Sequence, residues 1–310
     1  MRRRRPTAAS RGRPRRSRAG SAQTAVSYAF LAAVSCAFLA AVSFAFLCAG
    51  CTATNYLDAA GPVYRGRFAA AAARPAAAPS PKAPLRVVSF NIAFAIEIDS
   101  ALAVLHHEPD LQRPDILALQ EMDAPSVERI ARALQFDSVY FPSGFHPKYD
   151  RDFGCAVLSP WPLIEARKIV MPHRSRITGL QRVVTVVTLQ RGAGRWRVYS
   201  VHLPSPVGIS GESRREEIDL LVKDASSSPD PVIIAGDFNS EDAGEAFVRA
   251  GFVWPTREIP ATVRALGVGF RYDHVLARGL RPAPAPAAGV VLDNRQASDH
   301  CPIWAVLVPE

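Results

Sequence analysis

The part of the sequence after residue 20 lacks an excess of positive charge, although the whole chain has a formal net charge of +9. Nine of the 37 lysines and arginines lie in the first 20 residues, which contain no acidic residue, and the other 28 are balanced by 28 aspartates and glutamates. A protein that neutralises many nucleic-acid phosphates normally carries its basic excess on the folded domain. The charge balance therefore removes the simplest argument for nucleic-acid binding.

Charged residues are also absent from residues 21–50, which follow the arginine cluster. An apolar block after basic residues is typical of export signals, and this one is long enough to span a bilayer as a helix. The sequence Leu47-Cys48-Ala49-Gly50-Cys51 resembles the end of a bacterial lipoprotein signal. We expect residues 1–50 to be a signal peptide with Cys51 as the lipid-modified residue, or else an uncleaved signal-anchor. Both alternatives predict an exported, membrane-anchored protein that faces the periplasm or the cell exterior.

Cysteine is scarce beyond this region, where only Cys155 and Cys301 remain. Both lie in apolar, strand-like runs, so buried free thiols are favoured, while a disulfide between them stays open. No spacing of cysteine and histidine indicates a zinc site. The composition, 48% hydrophobic and 21% charged, excludes a disordered chain.

An alanine- and proline-rich stretch separates the apolar block from the rest of the chain. Residues 68–84 consist almost entirely of these two residue types. Such tracts bury little surface and act as semi-extended spacers. We therefore predict a tether over 51–84 and a single domain over 85–310, and we expect the protein to be a monomer.

Strand-like and helix-like runs alternate in residues 85–310. Two β-favouring runs, 182–189 and 196–202, are separated by Gly192-Ala193-Gly194 and predict a hairpin. Other runs combine a strand with a following helix, as at 115–121 and 126–134. Hairpins mixed with βα units predict an α/β sandwich with mixed sheets, and not a parallel barrel.

Most strand-like runs end in a carboxylate, a carboxamide or an imidazole. Strand ends at one edge of a sandwich converge, so these groups can meet although they are scattered along the chain. Hard oxygen ligands suit Mg²⁺ or Mn²⁺, and neighbouring imidazoles suit phosphoryl binding and proton transfer. The residues concerned are Asn91, Glu121, His202, Asp237, Asn239, Asp273, His274, Asp299 and His300.

In order, the motifs around these residues resemble the series of the endonuclease/exonuclease/phosphatase (DNase I-like) superfamily. The resemblance extends over essentially all of 85–310, with Cys155 where many members have asparagine. It implies a four-layer α/β sandwich, in which two mixed β-sheets pack face to face and are flanked by helices. The motifs are Ser89-Phe-Asn-Ile92, Leu119-Gln-Glu121, Ser200-Val-His-Leu203, Gly236-Asp-Phe-Asn239, Tyr272-Asp-His-Val275 and Ser298-Asp-His300.

The resemblance also implies a metal-dependent phosphoester hydrolase. Glu121 is the expected principal ligand of Mg²⁺ or Mn²⁺, with Asn91 and Asp299 beside it. Asp237 and Asn239 are expected to orient or deprotonate the attacking water.

Two imidazoles are expected to bind the phosphoryl group in the same site. His202 and His300 would donate hydrogen bonds to its oxygens, and Asp273 would orient His300. A carboxylate behind His202 is expected, with Asp152 as the candidate, and Arg182 is expected to face the phosphate.

The substrate is only weakly defined by the sequence. Basic residues gather in two loops, at 146–151 and 174–182, and these loops can be an anion-binding surface or an ordinary solvated one. A nuclease would need an extended basic run with aromatic stacking positions, and the sequence has no such run. A phosphodiester of small or lipid-linked type is preferred, a DNA or RNA nuclease is the alternative, and a non-catalytic binding lipoprotein is the third reading.

Overall fold

The computed structural model describes residues 54–69, 80, 82–265 and 267–310. The predicted signal peptide, its alternative as a signal-anchor, and the proposed lipid site Cys51 lie outside these residues. Residues Ala53–Glu310 form one compact unit. Within the described part of the chain, no helix combines the length and the apolar character needed to cross a membrane.

Sixteen strands and four α-helices make up the described chain. The strands are β1 (Thr54–Asn55), β2 (Tyr64–Gly66), β3 (Leu85–Asn91), β4 (Ile116–Met122), β5 (Asp137–His146), β6 (Arg151–Ser159), β7 (Leu163–Arg174), β8 (Gln181–Arg191), β9 (Gly194–His202), β10 (Val232–Asp237), β11 (Val263–Ala265), β12 (Val268–Phe270), β13 (Asp273–Arg278), β14 (Leu280–Pro282), β15 (Ala288–Val290) and β16 (Ile303–Pro309). The helices are α1 (Ile98–His107), α2 (Ala124–Leu134), α3 (Gly211–Ser226) and α4 (Gly244–Arg249), with short 3₁₀ turns at Ala93–Ala95 and Pro109–Leu111.

Two large sheets contain most of these strands. The first has nine strands in the order β1-β5-β6-β4-β3-β16-β14, with β2 paired to β5 and β15 paired to β16. The second has the order β13-β10-β9-β8-β7, and β11 and β12 form a separate hairpin. Each large sheet contains one parallel pair, β3 with β4 and β9 with β10, and its other pairs are antiparallel. Both sheets are therefore mixed, as the sequence predicts.

Local sequence explains where the elements begin and turn. Strands β8 and β9 pair up to Arg191 and Gly194, so Gly192-Ala193 is the two-residue turn of the predicted hairpin, and Gly192 has the positive φ that such a turn requires. Helix α2 begins after Asp123, whose side chain accepts a hydrogen bond from the Ser126 amide, and Ser210 caps α3 in the same way.

The sheets pack face to face because alternate strand residues point to opposite faces. Val87 and Ile233 lie in the core between the two sheets. Their neighbours face outward: Val88 packs in the core under α1 and α2, whereas Ile234 packs in the core under α3 and α4. This arrangement gives four layers, helix, sheet, sheet and helix, and confirms the predicted fold class.

Part of the predicted tether belongs to the folded unit. Strands β1 and β2 pair with β5, the outer strand of the first sheet, and cover backbone groups that a sheet edge otherwise exposes. The Lys168 ammonium donates hydrogen bonds to the carbonyls of Tyr56 at 2.6 Å and Gly61 at 2.8 Å. The spacer prediction is therefore wrong for residues 54–69, which we call the strap; residues 70–79 lie outside the described chain.

Candidate active site

The polar strand ends meet at one edge of the sandwich, which we call the rim. In the second sheet, Asp237 at the end of β10 pairs with His202 of the parallel strand β9 and with Asp273 of the antiparallel strand β13. Three functional side chains therefore stand at one level on three adjacent strands. The predicted convergence of these residues is present.

The first sheet reaches across to this level through Asn91. Its Nδ2 donates to Asp237 Oδ2 at 3.1 Å and lies 3.4 Å from Glu121 Oε1. Glu121 lies in a bulge of β4 between Leu119 and Met122, with φ of 58°. Positive φ is uncommon outside glycine and is often found at functional sites, and a bulge redirects the side chain of a strand residue. The bulge and the positive φ of Glu121 therefore set the direction of its carboxylate.

His300 is held by a buried carboxylate. Its Nδ1 lies 2.8 Å from Asp273 Oδ2, and its Nε2 lies 3.7 Å from Asp237 Oδ2. Thr262 Oγ1 donates to the same Asp273 oxygen at 2.6 Å, while its own oxygen accepts from the Asp273 amide. Asp273 is therefore fixed as the orienting partner expected for His300, and Thr262 is a support that sequence reasoning missed.

Burial and charge set the protonation of His300 and Asp237 together. Burial alone would lower the pKa of His300, but the carboxylates of Asp273 and Asp237 outweigh it and raise that pKa to about 10. Burial raises the pKa of Asp237 to about 7, with His300 opposing this rise and Asp273 adding to it. His300 is therefore a cation at neutral pH, and Asp237 can exchange a proton there.

His202 also lies beside Asp237, but it has the opposite protonation state. Its Nε2 lies 3.5 Å from Asp237 Oδ2 and 3.8 Å from Glu121 Oε1. Burial lowers the pKa of His202 well below its ordinary value, and the charges of Arg182 and His300 lower it further. The ring is neutral at pH 7, so the site holds one neutral and one charged imidazole.

The expected carboxylate behind His202 is not there. Asp152 accepts a hydrogen bond from the Tyr56 hydroxyl at 3.0 Å, and His202 Nδ1 is buried without a hydrogen-bond partner in the described chain. The prediction for Asp152 is wrong because the strap, which the sequence analysis treated as a spacer, supplies its partner.

Asn239 is locked against Asp237. Its amide donates to Asp237 Oδ1 at 2.8 Å, and its side-chain Nδ2 donates to Asp237 Oδ2 and to the Leu203 carbonyl. The φ of Asn239 is 50°, a conformation that asparagine tolerates better than most residues. The donors of Asn239 are therefore used to hold Asp237, and the expected role of Asn239 in orienting a water would act through Asp237.

The residues predicted to bind a metal fit a hard divalent cation. Asp299 is exposed, and its one described hydrogen bond, from Ser298, is long at 3.4 Å. Burial raises the pKa of Glu121, and the negative charge of Asp299 contributes to this rise. Oxygen ligands that repel one another in this way suit Mg²⁺ or Mn²⁺.

A second group with metal-like spacing lies deeper. Asp237, Asp273 and His300 offer ligand atoms within 4.8 Å of one another. His300 Nδ1 is already bonded to Asp273, however, and a protonated imidazole does not ligate a metal. This group is therefore less suited to a metal than Glu121 and Asp299, which fit a divalent cation by their chemistry.

Arg182 contributes a buried cation to the same site. The side chain is 8% exposed, and its Nε and Nη1 lack hydrogen-bond partners in the described chain. The guanidinium lies 4.3 Å from the ring centre of Phe153. Its charge opposes the rise that burial causes in the pKa of Glu121, and it adds to the fall that burial causes in the pKa of His202. An unpaired buried guanidinium is suited to an anionic ligand, as expected for Arg182.

Helix α3 contributes two buried ionisable residues, Arg214 and Glu217, that the sequence alone did not single out. Arg214 Nη1 donates to the Phe238 carbonyl at 3.0 Å, and Glu217 is buried with Oε2 unpartnered in the described chain. Burial raises the pKa of Glu217 to about 7, against the charges of Arg214 and Arg182. The helical spacing of Arg214 and Glu217 with the buried residues Ile218, Leu221 and Ala225 was a signal that could have revealed both.

Aromatic rings gather beside His202, although no run of them exists in the sequence. Phe94 stacks on Tyr149 with ring centres 3.9 Å apart and also contacts His146 and Phe153. Phe153 in turn lies 5.4 Å from His202. The sequence has no extended run of stacking positions, and the fold brings these rings together from separate segments of the chain.

Both cysteines of the described chain are free. Cys155 is buried in β6, and burial raises the pKa of its thiol to about 12, whereas Cys301 is partly exposed. The prediction of free thiols is confirmed, and that of burial holds for Cys155.

The model of the endonuclease/exonuclease/phosphatase family matches residues 88–300. An endonuclease/exonuclease/phosphatase from Beutenbergia cavernae is 20% identical, with 73% of this chain and 72% of that chain covered and a TM-score of 0.58. A humanised D. rerio TDP2 is 19% identical, with 72% and 98% covered and a TM-score of 0.59. D. rerio TDP2 complexed with single-strand DNA product is 17% identical, with 73% and 99% covered and a TM-score of 0.56. These likenesses establish the fold, and no curated protein matches the chain.

The buried carboxyl of Glu217 predicts a specific pH dependence of stability. Its folded-state pKa of about 7 lies above the ordinary value of 4.5, so its contribution to stability is complete below pH 4.5 and is lost as the pH rises through 7. Glu217→Gln should remove this loss, which is about 3 kcal/mol at most. Urea unfolding of both proteins at pH 5 and pH 8 measures it.

The exposed glutamate Glu212 on the same helix gives the control. Glu212→Gln should leave the difference in free energy of unfolding between the two pH values close to that of the wild type. An equal pH dependence of wild type and Glu217→Gln would contradict the assignment.

Proposed function

The chain belongs to the endonuclease/exonuclease/phosphatase family, and on that premise we propose that it is a metal-dependent phosphodiesterase. It hydrolyses its substrate by direct attack of water, without a covalent enzyme intermediate. The observation that carries the proposal is the placement of Asp237 between a charged imidazole at 3.7 Å and a neutral one at 3.5 Å.

The chain's own residues divide the work between proton transfer and charge stabilisation. Asp237 accepts the proton of the attacking water, as its pKa of about 7 allows. His300, protonated and oriented by Asp273, donates to a phosphoryl oxygen on which negative charge grows. The unpaired guanidinium of Arg182 binds the same anionic group.

The metal side lies next to these groups. Glu121, Asp299 and Asn91 would hold Mg²⁺ or Mn²⁺, which would supply Lewis-acid polarisation of the phosphoryl oxygens. Since Asn91 also donates to Asp237 at 3.1 Å, the same side chain aligns the base with the metal side.

We favour a small or lipid-linked phosphodiester as the substrate. After residue 20 the chain has no basic excess with which to track a polynucleotide, and the apolar block at 21–50 would bring the domain to a membrane. A nuclease is the second candidate, supported by the stack of Phe94 on Tyr149 beside the site. A binding lipoprotein without activity is disfavoured, because every expected catalytic position is filled.

The first test is hydrolysis with and without metal. We expect a protein comprising residues 54–310 to cleave bis-p-nitrophenyl phosphate with Mg²⁺ or Mn²⁺ and to lose this activity in EDTA, since its ligands are hard oxygens. A panel of plasmid DNA, RNA, sphingomyelin, phosphatidylinositol and sugar phosphates then ranks the substrates. Activity that survives EDTA would overturn the metal assignment, and a preference for DNA would reverse our ranking.

Substitutions separate metal binding from charge stabilisation. Glu121→Ala should abolish both metal binding and turnover. His300→Ala should retain metal affinity while kcat falls roughly a hundredfold to a thousandfold, the usual loss of one preorganised donor. Asp273→Asn should lower kcat less, because it acts through the orientation of His300. Steady-state kinetics and metal titration measure these effects.

The exposed histidine His107 on α1 provides the matched control, and His107→Ala should behave as the wild type. Circular dichroism must show that all variants are folded. If wild type and His300→Ala share the same negligible rate on every substrate of the panel, the enzyme proposal fails and the binding-lipoprotein alternative replaces it.

We also propose that the protein is exported and attached to a membrane through lipid on Cys51. In a bacterial host, the wild type should incorporate labelled fatty acid, and Cys51→Ser should not. If the wild type carries no label and Cys51→Ser stays in the membrane fraction, residues 21–50 act as a signal-anchor instead.

A further inference from the structure

Large apolar side chains are exposed mainly around the rim. Five of the eight such residues in the described chain lie in loops or in the short β11–β12 hairpin next to the site, and each is more than half exposed: Ile96 (53%), Ile177 (65%), Val207 (74%), Val268 (55%) and Leu292 (65%). The other three, Leu57, Val63 and Tyr64, lie in the strap and are less exposed. Singly exposed apolar residues are normal, but their concentration at one edge is not.

Two of these residues lie on loops that are joined to each other. Val207 lies in the loop that follows His202, and Ile177 lies in the loop that precedes Arg182. The amide of Arg176 donates to the carbonyl of Gly208 at 2.8 Å and joins the two loops. The two exposed residues therefore lie on joined loops at the strand ends that carry His202 and Arg182.

Two more lie near the predicted metal ligand Asp299. The hairpin that carries Val268 is bridged to His300 through Val263, and the Leu292 carbonyl accepts a weak hydrogen bond from Cys301. A cavity of about 380 Å³ is lined by Leu292, Val263 and Asp299 among others. Leu292 therefore borders a cavity that reaches a predicted metal ligand.

The charge is of one sign in the three loops that carry Ile177, Val207 and Val268, whereas the loop of Leu292 also contains Asp293 and Asp299. Residues 174–180, 203–210 and 263–270 contain three arginines and no acidic residue. Arg174, Arg176 and Arg264 are all exposed. Apolar side chains interspersed with arginines are typical of surfaces that enter the headgroup region of an anionic bilayer.

The chain also enters the folded unit at this edge. Thr54 pairs with Phe145, next to His146 at the site end of β5. The first described residue of the strap therefore lies beside the rim.

We propose that the rim rests on an anionic lipid surface through Ile177, Val207 and Val268, with Arg174, Arg176 and Arg264 beside them. The opening of the site then faces the headgroups, and the substrate is a phosphodiester presented at that surface. The substrate part of this inference depends on the proposed function, whereas the contact with lipid does not.

Vesicle binding of residues 54–310 tests the contact without the apolar block. This region can be used alone because its three cores lie within one compact unit. It should co-sediment with vesicles of phosphatidylcholine and phosphatidylglycerol. The double variant Ile177→Ser/Val207→Ser should bind these vesicles about tenfold more weakly, since two aliphatic side chains lose their burial. Arg174→Gln/Arg176→Gln should weaken binding to these vesicles and reduce its dependence on salt.

The strap provides the matched control, because Leu57 and Val63 are also exposed aliphatic residues, each 37% exposed. Leu57→Ser/Val63→Ser should bind the vesicles as the wild type does. No binding by the wild type, or an equal loss in both double variants, would overturn the inference.

Turnover of bis-p-nitrophenyl phosphate distinguishes this failure from failure of the proposed function. Normal turnover without vesicle binding would reject the lipid surface and leave the phosphodiesterase standing. The opposite outcome is vesicle binding that Ile177→Ser/Val207→Ser weakens, together with no turnover by the wild type. That result would support the lipid-binding surface and reject the proposed phosphodiesterase activity.

Discussion

The site depends on one buried carboxylate, Asp237. A charge removed from water must be compensated by hydrogen bonds or by opposite charge. Asp237 receives hydrogen bonds from Asn91 of the facing sheet and from Asn239 of its own loop, and lies between His202 and His300. The two sheets are therefore joined at the rim by the same group that would accept the proton of water. Stability at this edge and chemistry are not separable.

The two histidines beside this carboxylate differ in protonation. His300 has both Asp237 and Asp273 near it and keeps its proton, whereas burial and the charge of Arg182 hold His202 neutral. A neutral ring can donate through one nitrogen, and a charged ring can stabilise negative charge. Two residues of one type thus acquire different protonation states from their surroundings alone, and enzymes commonly separate acid and base in this way.

The strap is part of the fold beside this site. It pairs with β5, Lys168 donates hydrogen bonds to its carbonyls, and its Tyr56 hydroxyl donates to Asp152. A flexible tether would make none of these contacts. The strap is therefore a structural part of the domain, and one of its side chains sets the partner of a residue near the site.

The sequence by itself determined the elements and their chemistry: the turn at Gly192-Ala193, the strands that end in Asn91 and Asp237, and the family to which their order belongs. Only the tertiary structure decided the partners of residues far apart in the chain, such as Tyr56 with Asp152 and Phe94 with Tyr149. Strand ends are predictable because a sheet aligns them, with a period of two and a shared edge. Loop contacts are not, because no periodicity relates two loops, and only the packing of the sheets beneath them brings their side chains together.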